Sequence, residues 1–451
     1  MKECDCPKVT VIMYVKNGEP YFKQALDSVI GQTLQEMEVL VVDGGSRDGT
    51  LETADEAARR DGRIRILSCP RGSVGAQLNM GIMAARGDYI GIVESDDFIL
   101  PQMYEREYFY CREMGFPDLL RADNYIFWGE GEREVRIRTR VSHDDAVYGR
   151  LLSPKKHLQK VFIGGSFWTG IYRREFLLEQ GIFANESDGA AYQDFSFLFQ
   201  ASALAKTVCF MQDAFYCYRK DNPLSSCNNP IGIRLIEDEY SFLKEAMGKR
   251  GLWKRCRGYY YLWKIRNYHW FYRTLGLEGK KAVIPLMYQS IRNDASEEGF
   301  PYAWNKKELG LLQVAGESRE TFTEYLLEEE KRWRVSQEKI VHLTPSCKVW
   351  LFGGGNIASI LIWYLSRRGI YPELILDNNR KLWGQKWQGV EIADPEVLVD
   401  RSRDGGQINI IICSENYLHE IREQVLCCGI QEENVIECND MDSCVRFVCG
   451  K

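Results

Sequence analysis

Short β-branched runs alternate along the chain with segments whose apolar positions recur at helical spacing. Val9-Thr10-Val11-Ile12-Met13 reads as a buried strand, and Tyr21 to Gln32 follows with Phe22, Ala25, Leu26, Val29 and Ile30 on one helical face. Glu38 to Val42 predicts a second strand ending at Asp43-Gly44-Gly45, and Ser46 stands where a cap belongs before a helix over 50–60. Arg63 to Leu67 predicts a third strand, Val74 to Ala85 a helix, and Tyr89 to Val93 a fourth strand. Strands alternating with helices predict a parallel sheet that binds ligands at the carboxyl ends of its strands. Asp43 and the Glu94-Ser95-Asp96-Asp97 cluster both fall at such ends.

Residues 126–230 are less regular and richer in Gly, Trp and Tyr, and from Ile231 to about Lys339 the pattern turns helical. Glu328 to Arg332 reads as a solvated helix face. A new unit starts near Thr344-Pro345: a strand over Lys348 to Phe352, the turn Gly353-Gly354-Gly355, a helix over Ile357 to Arg368, and a strand over Glu373 to Leu376 that ends at Asp377. Ile408 to Cys413 is a further strand. The expected organisation is an α/β domain over 1–230, a helical extension over 231–343, and a second α/β domain over 344–451.

With 451 residues the chain is too long for one core, and 45% hydrophobic and 27% charged residues are ordinary for a globular protein. A formal net charge of −6 provides no field to recruit a polynucleotide, so no nucleic-acid partner is expected. None of the fifteen cysteines falls in zinc-ligand spacing, and reduced thiols are the expectation. With no signal-peptide pattern and no spanning run, a cytoplasmic location is expected.

Three carboxylates within the four residues 94–97 repel one another unless a cation compensates them. Such a cluster reads either as a solvated acidic turn or as a site for a hard divalent ion, Mg2+ or Mn2+, that also meets substrate phosphates. Asp43, in Asp43-Gly44-Gly45-Ser46-Arg47-Asp48-Gly49-Thr50, reads either as a turn cap or as an acceptor for a base or ribose.

Together these segments are similar to the nucleotide-binding half of a family-two glycosyltransferase with the GT-A fold. The matching stretches are Val9 to Met13, Ala25 to Thr33, Val41 to Thr50, Gln77-Leu78-Asn79-Met80-Gly81-Ile82, Ala85 to Ile90 and Glu94 to Asp97. Further on, Trp168 to Leu177 resembles the family's acceptor-side segment. Gly189-Ala190-Ala191-Tyr192-Gln193-Asp194 matches the place of its usual Glu-Asp, and Tyr216 to Arg219 with Asn222 to Ser226 looks like its closing motif.

The resemblance implies an inverting, metal-dependent transferase of hexosyltransferase type. Asp194 would be the catalytic base, Asp43, Asn17, Asn79 and Asp96 would bind the donor, Asp96 and Asp97 the metal, and Trp168 the acceptor. It also implies a nucleotide-diphosphate sugar as donor, a UDP-sugar favoured, and a glycan or lipid-linked acceptor in surface polysaccharide or glycolipid synthesis. The chain departs from the family at Tyr14-Val15-Lys16-Asn17, where Pro-x-Tyr-Asn is common, at Gly44, where many members have a second acid, and at Gln193, which replaces an acid.

Other features read two ways. Trp168 and Phe167 suit sugar stacking or core packing, and Arg71 and Arg219 suit phosphates or structure. The aromatic and basic run Tyr259 to Arg273 suits peripheral membrane contact at the inner face or a bulky helix core. Gly353-Gly354-Gly355-Asn356-Ile357-Ala358 approximates a dinucleotide turn, with Gly353, Gly355 and Asp377 as a second nucleotide site, and the domain resembles Rossmann-like units. That domain would serve nucleotide binding or subunit packing in a homo-oligomer. The alternative reading of the whole is a non-catalytic nucleotide-sugar-binding scaffold or sensor.

Overall fold

The computed structural model describes residues 6–129, 131, 134–189, 192–225, 232–296, 306–399, 407–415, 417–438 and 440–450. The chain divides into two compact units, Met1–Leu275 and Gly276–Lys451. The boundary lies inside the helical segment 231–343.

The first unit is built as the hydrophobic pattern requires. Strands β1 (Val9–Val15), β2 (Met37–Asp43), β3 (Ile64–Ser68) and β4 (Tyr89–Ile92) are interleaved with helices α1 (Phe22–Ile30), α2 (Thr50–Arg60) and α3 (Val74–Ala84). Every residue of β1 and β2 is buried, as expected for strands covered on both faces. The four strands run parallel in the order β3-β2-β1-β4. Helix α2 starts at Thr50 behind Gly49 as N-cap. Ser46, expected as the cap, instead accepts the backbone N–H of Asn17 at 2.9 Å and so joins two loops.

The chain then adds β5 (Phe98–Ile99), α4 (Met103–Glu113), β6 (Leu119–Trp128), β7 (Val135–Thr139), β8 (Leu151–Leu152), α5 (Leu158–Val161), β9 (Gly170–Arg173), α6 (Arg174–Gln180), α7 (Gln193–Leu204) and β10 (Val208–Arg219). Strand β9 runs antiparallel between β4 and β6, and β10 is parallel to β6, so the sheet continues as β9-β6-β10-β5. The hairpin-like register Cys217 to Phe98 and Tyr216 to Ile99 brings the end of β10 against the acidic turn that follows β4. Residues 126–128, expected to be irregular, are the end of a buried ten-residue strand.

Helices α8 (Gly232–Lys249) and α9 (Trp253–Thr274) complete this unit. The aromatic run of α9 is largely buried: Tyr260, Tyr261, Trp263, Tyr268, Phe271 and Tyr272 are all at most 3% exposed. Its rings meet Phe162, Phe199 and Tyr240 edge-on or tilted. The bulky-core reading of that run therefore accounts for these rings. Among the described residues no helix is long and apolar enough to cross a membrane.

The second unit holds helices α10 (Leu277–Ala295), α11 (Lys306–Glu317) and α12 (Arg319–His342), then β11 (Lys348–Phe352), α13 (Asn356–Ser366), β12 (Leu374–Leu376), β13 (Lys386–Trp387), β14 (Val390–Ala393), β15 (Ile408–Cys413) and β16 (Val435–Cys438). The sheet order is β13-β14-β12-β11-β15-β16, with all neighbours parallel except β13 and β14. Counting the parallel strands gives 3-2-1-4-5, the doubly wound order whose direction reverses between β11 and β15. Its core is Trp350, Phe352, Leu376, Ile410, Ile412 and their neighbours. Lys339 of α12 donates to the Val435 carbonyl at 2.8 Å, which fastens this helix to the sheet that follows it.

Candidate functional site

The carboxyl ends of β1, β2 and β4 lie side by side, and the acidic turn grows out of the last of them. Glu94, Asp96 and Asp97 bring carboxylate oxygens within 4.8 Å of one another. Asp97 is 1% exposed and is gripped by β10: it accepts the Tyr216 hydroxyl and the Arg219 N–H, both at 2.7 Å. The same Tyr216 oxygen accepts the Glu94 N–H at 3.1 Å. Glu94 accepts the Tyr14 hydroxyl at 2.5 Å, and Asp96 accepts Asn222 Nδ2 at 2.8 Å. Protein donors thus orient all three acids.

The cluster is held at an electrostatic cost. Burial, then the adjacent Asp96, push the Glu94 carboxyl up to about 8, and burial with Asp96 and Glu94 pushes Asp97 well above its ordinary range. Tyr14 and Tyr216 are raised for the same reason, burial first and neighbouring carboxylates second. Oxygen donors, like charge and burial make this a donor set that fits a hard divalent cation.

Asp194 enters from a different element. It lies in the first turn of α7, where the helix dipole favours a negative charge, behind Tyr192 in the left-handed region at φ 71°. Its charge contributes to raising both Glu94 and Tyr14, so it lies within electrostatic reach of the acidic cluster. Burial pushes its own carboxyl up to about 6, against a hydrogen bond from Ser166. A carboxylate of this kind is mostly ionised at neutral pH and more basic than an ordinary aspartate. Ala190 and Ala191, part of the matched stretch before it, lie outside the described residues.

The other sites predicted from sequence divide by their surroundings. Asp43, 3% exposed, accepts the N–H groups of Gly45 at 2.8 Å and Ser46 at 3.1 Å, so it caps its own turn. Asn17 accepts the Arg47 N–H at 2.8 Å, tying the β1 loop to the turn after β2. Asn79 exchanges two hydrogen bonds with the Ala184 backbone and donates to Glu186, which makes it a clamp on the 184–186 segment. Trp168 stacks on Tyr216 with centroids 4.3 Å apart and on Tyr218 at 5.1 Å, so its ring steadies the tyrosine that holds Asp97.

Arg219 is 4% exposed, donates to the Asp96 carbonyl and sits over the Tyr21 and Phe127 rings, which is a structural placement. Arg71 pairs with Glu186 at 2.6 Å. In the second unit Gly353 has φ 100°, and a Cβ there would meet the Cys413 carbonyl at 2.8 Å, so this turn favours glycine. Asp377 accepts the N–H of Gly354 at 3.0 Å and of Asn379 at 2.8 Å, holding the turn from the neighbouring strand. Gly355 lies at the N-cap of α13.

Tyr14 and Tyr216 were in view in the sequence without a role. Their signal is positional: one lies at the carboxyl end of the first strand and the other sits in the strand paired with the residues after the acidic turn.

Residues 10–118 match the family model described as glycosyl transferase family 2. It is similar to an uncharacterized glycosyltransferase, EpsJ, of Bacillus subtilis (strain 168), at 30% identity over 50% of this chain and 64% of the relative. The putative glycosyltransferase EpsH of the same organism is 29% identical over 53% of this chain and 70% of that protein. A cholesterol galactosyltransferase of Borreliella burgdorferi is 24% identical over 58% of this chain and 74% of that protein. The chain thus spans less than two thirds of EpsJ. The fold is similar to that of S. aureus TarS 1–349, solved in complex with UDP-GlcNAc. The TM-score is 0.50 at 19% identity, over 72% of this chain and 92% of that one. The first unit is a GT-A-type domain.

Proposed function

We propose that this protein is an inverting glycosyltransferase that moves a hexose-type sugar from a nucleoside diphosphate, a UDP-sugar favoured, to an acceptor hydroxyl. The observation that carries the reading is the Glu94, Asp96 and Asp97 cluster at the carboxyl end of a parallel sheet, with the buried Asp194 carboxylate within its electrostatic reach. The glycosyltransferase relatives support it, and the UDP-GlcNAc complex of TarS favours a UDP-sugar. Residues 1–230 carry the reaction on this reading, 231–343 extend it, and 344–451 supply a nucleotide-binding-type domain around Gly353, Gly355 and Asp377. A glycan or lipid-linked glycan of surface polysaccharide or glycolipid synthesis is the proposed acceptor, met at the inner face of the membrane.

Asp96 and Asp97 would hold Mg2+ or Mn2+, which when bound supplies positive charge to the departing diphosphate. The turn built by Asp43 and Asn17 faces the nucleoside, and Asn79 fixes the 184–186 segment at the acceptor side. Asp194 takes the proton of the acceptor hydroxyl as that oxygen attacks the anomeric carbon, and the bond to the diphosphate breaks on the opposite face. A single displacement of this kind inverts the anomeric configuration. Tyr216 and Tyr14 keep the acids oriented, and Trp168 steadies Tyr216 beside the acceptor.

The test is thermal stabilisation of the full chain by UDP-glucose, UDP-galactose, UDP-GlcNAc and GDP-mannose, with and without Mn2+. The proposal expects a metal-dependent shift with a sugar nucleotide and slow release of the nucleoside diphosphate. Sugar-nucleotide binding without turnover by any acceptor would instead favour a scaffold.

A further inference from the structure

The helix that carries Asp194 is tied to a carboxylate from far down the chain. Glu239, on α8, is 1% exposed. Its Oε2 accepts the Ser196 hydroxyl at 2.6 Å, and its Oε1 accepts Asn185 Nδ2 at 2.9 Å and the Ser187 hydroxyl at 3.2 Å. Ser196 lies in the first turn of α7, two residues beyond Asp194, while Asn185 and Ser187 belong to the segment that runs up to it. One side chain therefore bridges both approaches to Asp194. Gln193 joins the same network by donating to Ser187 Oγ at 3.2 Å.

The segment is also held from its other side. The Gly189 N–H donates to the Gly72 carbonyl at 2.6 Å, the Val74 N–H donates to the Gly189 carbonyl at 3.1 Å, and Asn79 clamps Ala184. Helix α8 connects this segment to the helix that carries Asp194 through an acid. Burying a carboxylate against neutral donors is a poor way to gain stability, because an apolar residue of similar volume packs there without losing hydration. Burial accordingly pushes the Glu239 carboxyl up to about 7 against its three hydrogen bonds, and the Asp194 charge adds to this. Its geometry has a use that packing lacks.

We infer that Glu239 is a positioning residue for the transfer, fixing Asp194 and the 185–189 segment in one arrangement toward the acceptor hydroxyl. The inference rests on the reading of Asp194 as the base. It acts through Ser196, Asn185 and Ser187, without itself touching substrate.

The experiment uses the full chain with Mn2+ and follows nucleoside diphosphate release from UDP-glucose, UDP-galactose, UDP-GlcNAc and GDP-mannose. It compares Glu239→Ala, Glu239→Gln, Ser196→Ala and Asp194→Asn with the parent. Glu239→Ala should lower kcat about 10- to 100-fold and leave the donor KM within about twofold. Glu239→Gln can accept from Asn185 and donate to Ser196, and should stay within about threefold of the parent. Ser196→Ala removes one bond without removing the acid and should lower kcat by a smaller factor, which keeps the inference testable where Glu239→Ala does not fold. Parent-like kcat in Glu239→Ala and Ser196→Ala beside a dead Asp194→Asn overturns the inference and spares the base. So does a Gln variant as slow as the Ala variant, which would make charge rather than geometry the cause. Full turnover in Asp194→Asn removes the base assignment, and the positioning role falls with it.

Discussion

Glu94→Gln should make the metal-free protein more stable at pH 8 and nearly unchanged at pH 5. Burial and the Asp96 carboxylate push the Glu94 carboxyl up to about 8 from an ordinary 4.5. A carboxyl whose folded pKa lies above its unfolded one binds more protons in the native state, so stability is lost as pH rises between those two values. At about 1.4 kcal/mol per pH unit the interval corresponds to roughly 4–5 kcal/mol for a fully dry group. Glu94 is only half-buried, and water on its open side reduces this to about 2 kcal/mol. Glutamine retains an oxygen for the Tyr14 hydroxyl, which sits at 2.5 Å, and removes only the charge. Thermal unfolding in EDTA should therefore show the variant about 4–8 °C above the parent at pH 8. Added Mn2+ should reverse the order, because the parent offers one more carboxylate to the ion. A variant that melts at or below the parent at pH 8 in EDTA would refute the claim that the cluster is strained by like charge.

Other outcomes follow from the same geometry. The pH profile of kcat/KM should fall on the acid side with a midpoint near 6, because Asp194 must be ionised to take a proton and burial holds its carboxyl at about that value. An acid limb near 4 would contradict the assignment. Tyr216→Phe deletes the hydroxyl shared by Asp97 and the Glu94 N–H, and should weaken Mn2+ binding about 10-fold or more while the fold persists, as read by calorimetry. Asp377→Ala frees the Gly354 turn and should cost the second unit about 1–2 kcal/mol in denaturant unfolding, with donor turnover unchanged.

Much of the first sheet is legible because β1, β2 and β4 are buried on both faces and read as near-continuous apolar runs. Strands β1 to β4 and helices α1 to α3 begin and end within two residues of the boundaries drawn from periodicity. The strands after residue 115 were harder to read, since β6 keeps Arg121, Asp123 and Asn124 buried among its apolar residues and so breaks the pattern. The acidic cluster could be placed at a strand end from sequence, but its depth could not. That depth depends on β10 pairing with β5 more than a hundred residues away. Glu239 was invisible for a related reason. A glutamate on an amphipathic helix reads as solvent-facing until the 185–187 segment is folded over it. Asp43 and Asn79 read as binding residues from the sequence, and the structure adds what the sequence does not show: Asp43 accepts backbone N–H groups of its own turn, and Asn79 bonds the Ala184 backbone and the Glu186 side chain.

The central claim is tested most directly by Mn2+-dependent release of nucleoside diphosphate from the sugar-nucleotide panel, measured for the parent, Asp97→Asn and Asp194→Asn. The account predicts release by the parent that stops in EDTA, weakened metal dependence in Asp97→Asn, and a loss of about 10²- to 10⁴-fold in Asp194→Asn with the donor still bound. Equal rates in the parent and Asp194→Asn, or the same rate with and without metal, would contradict it.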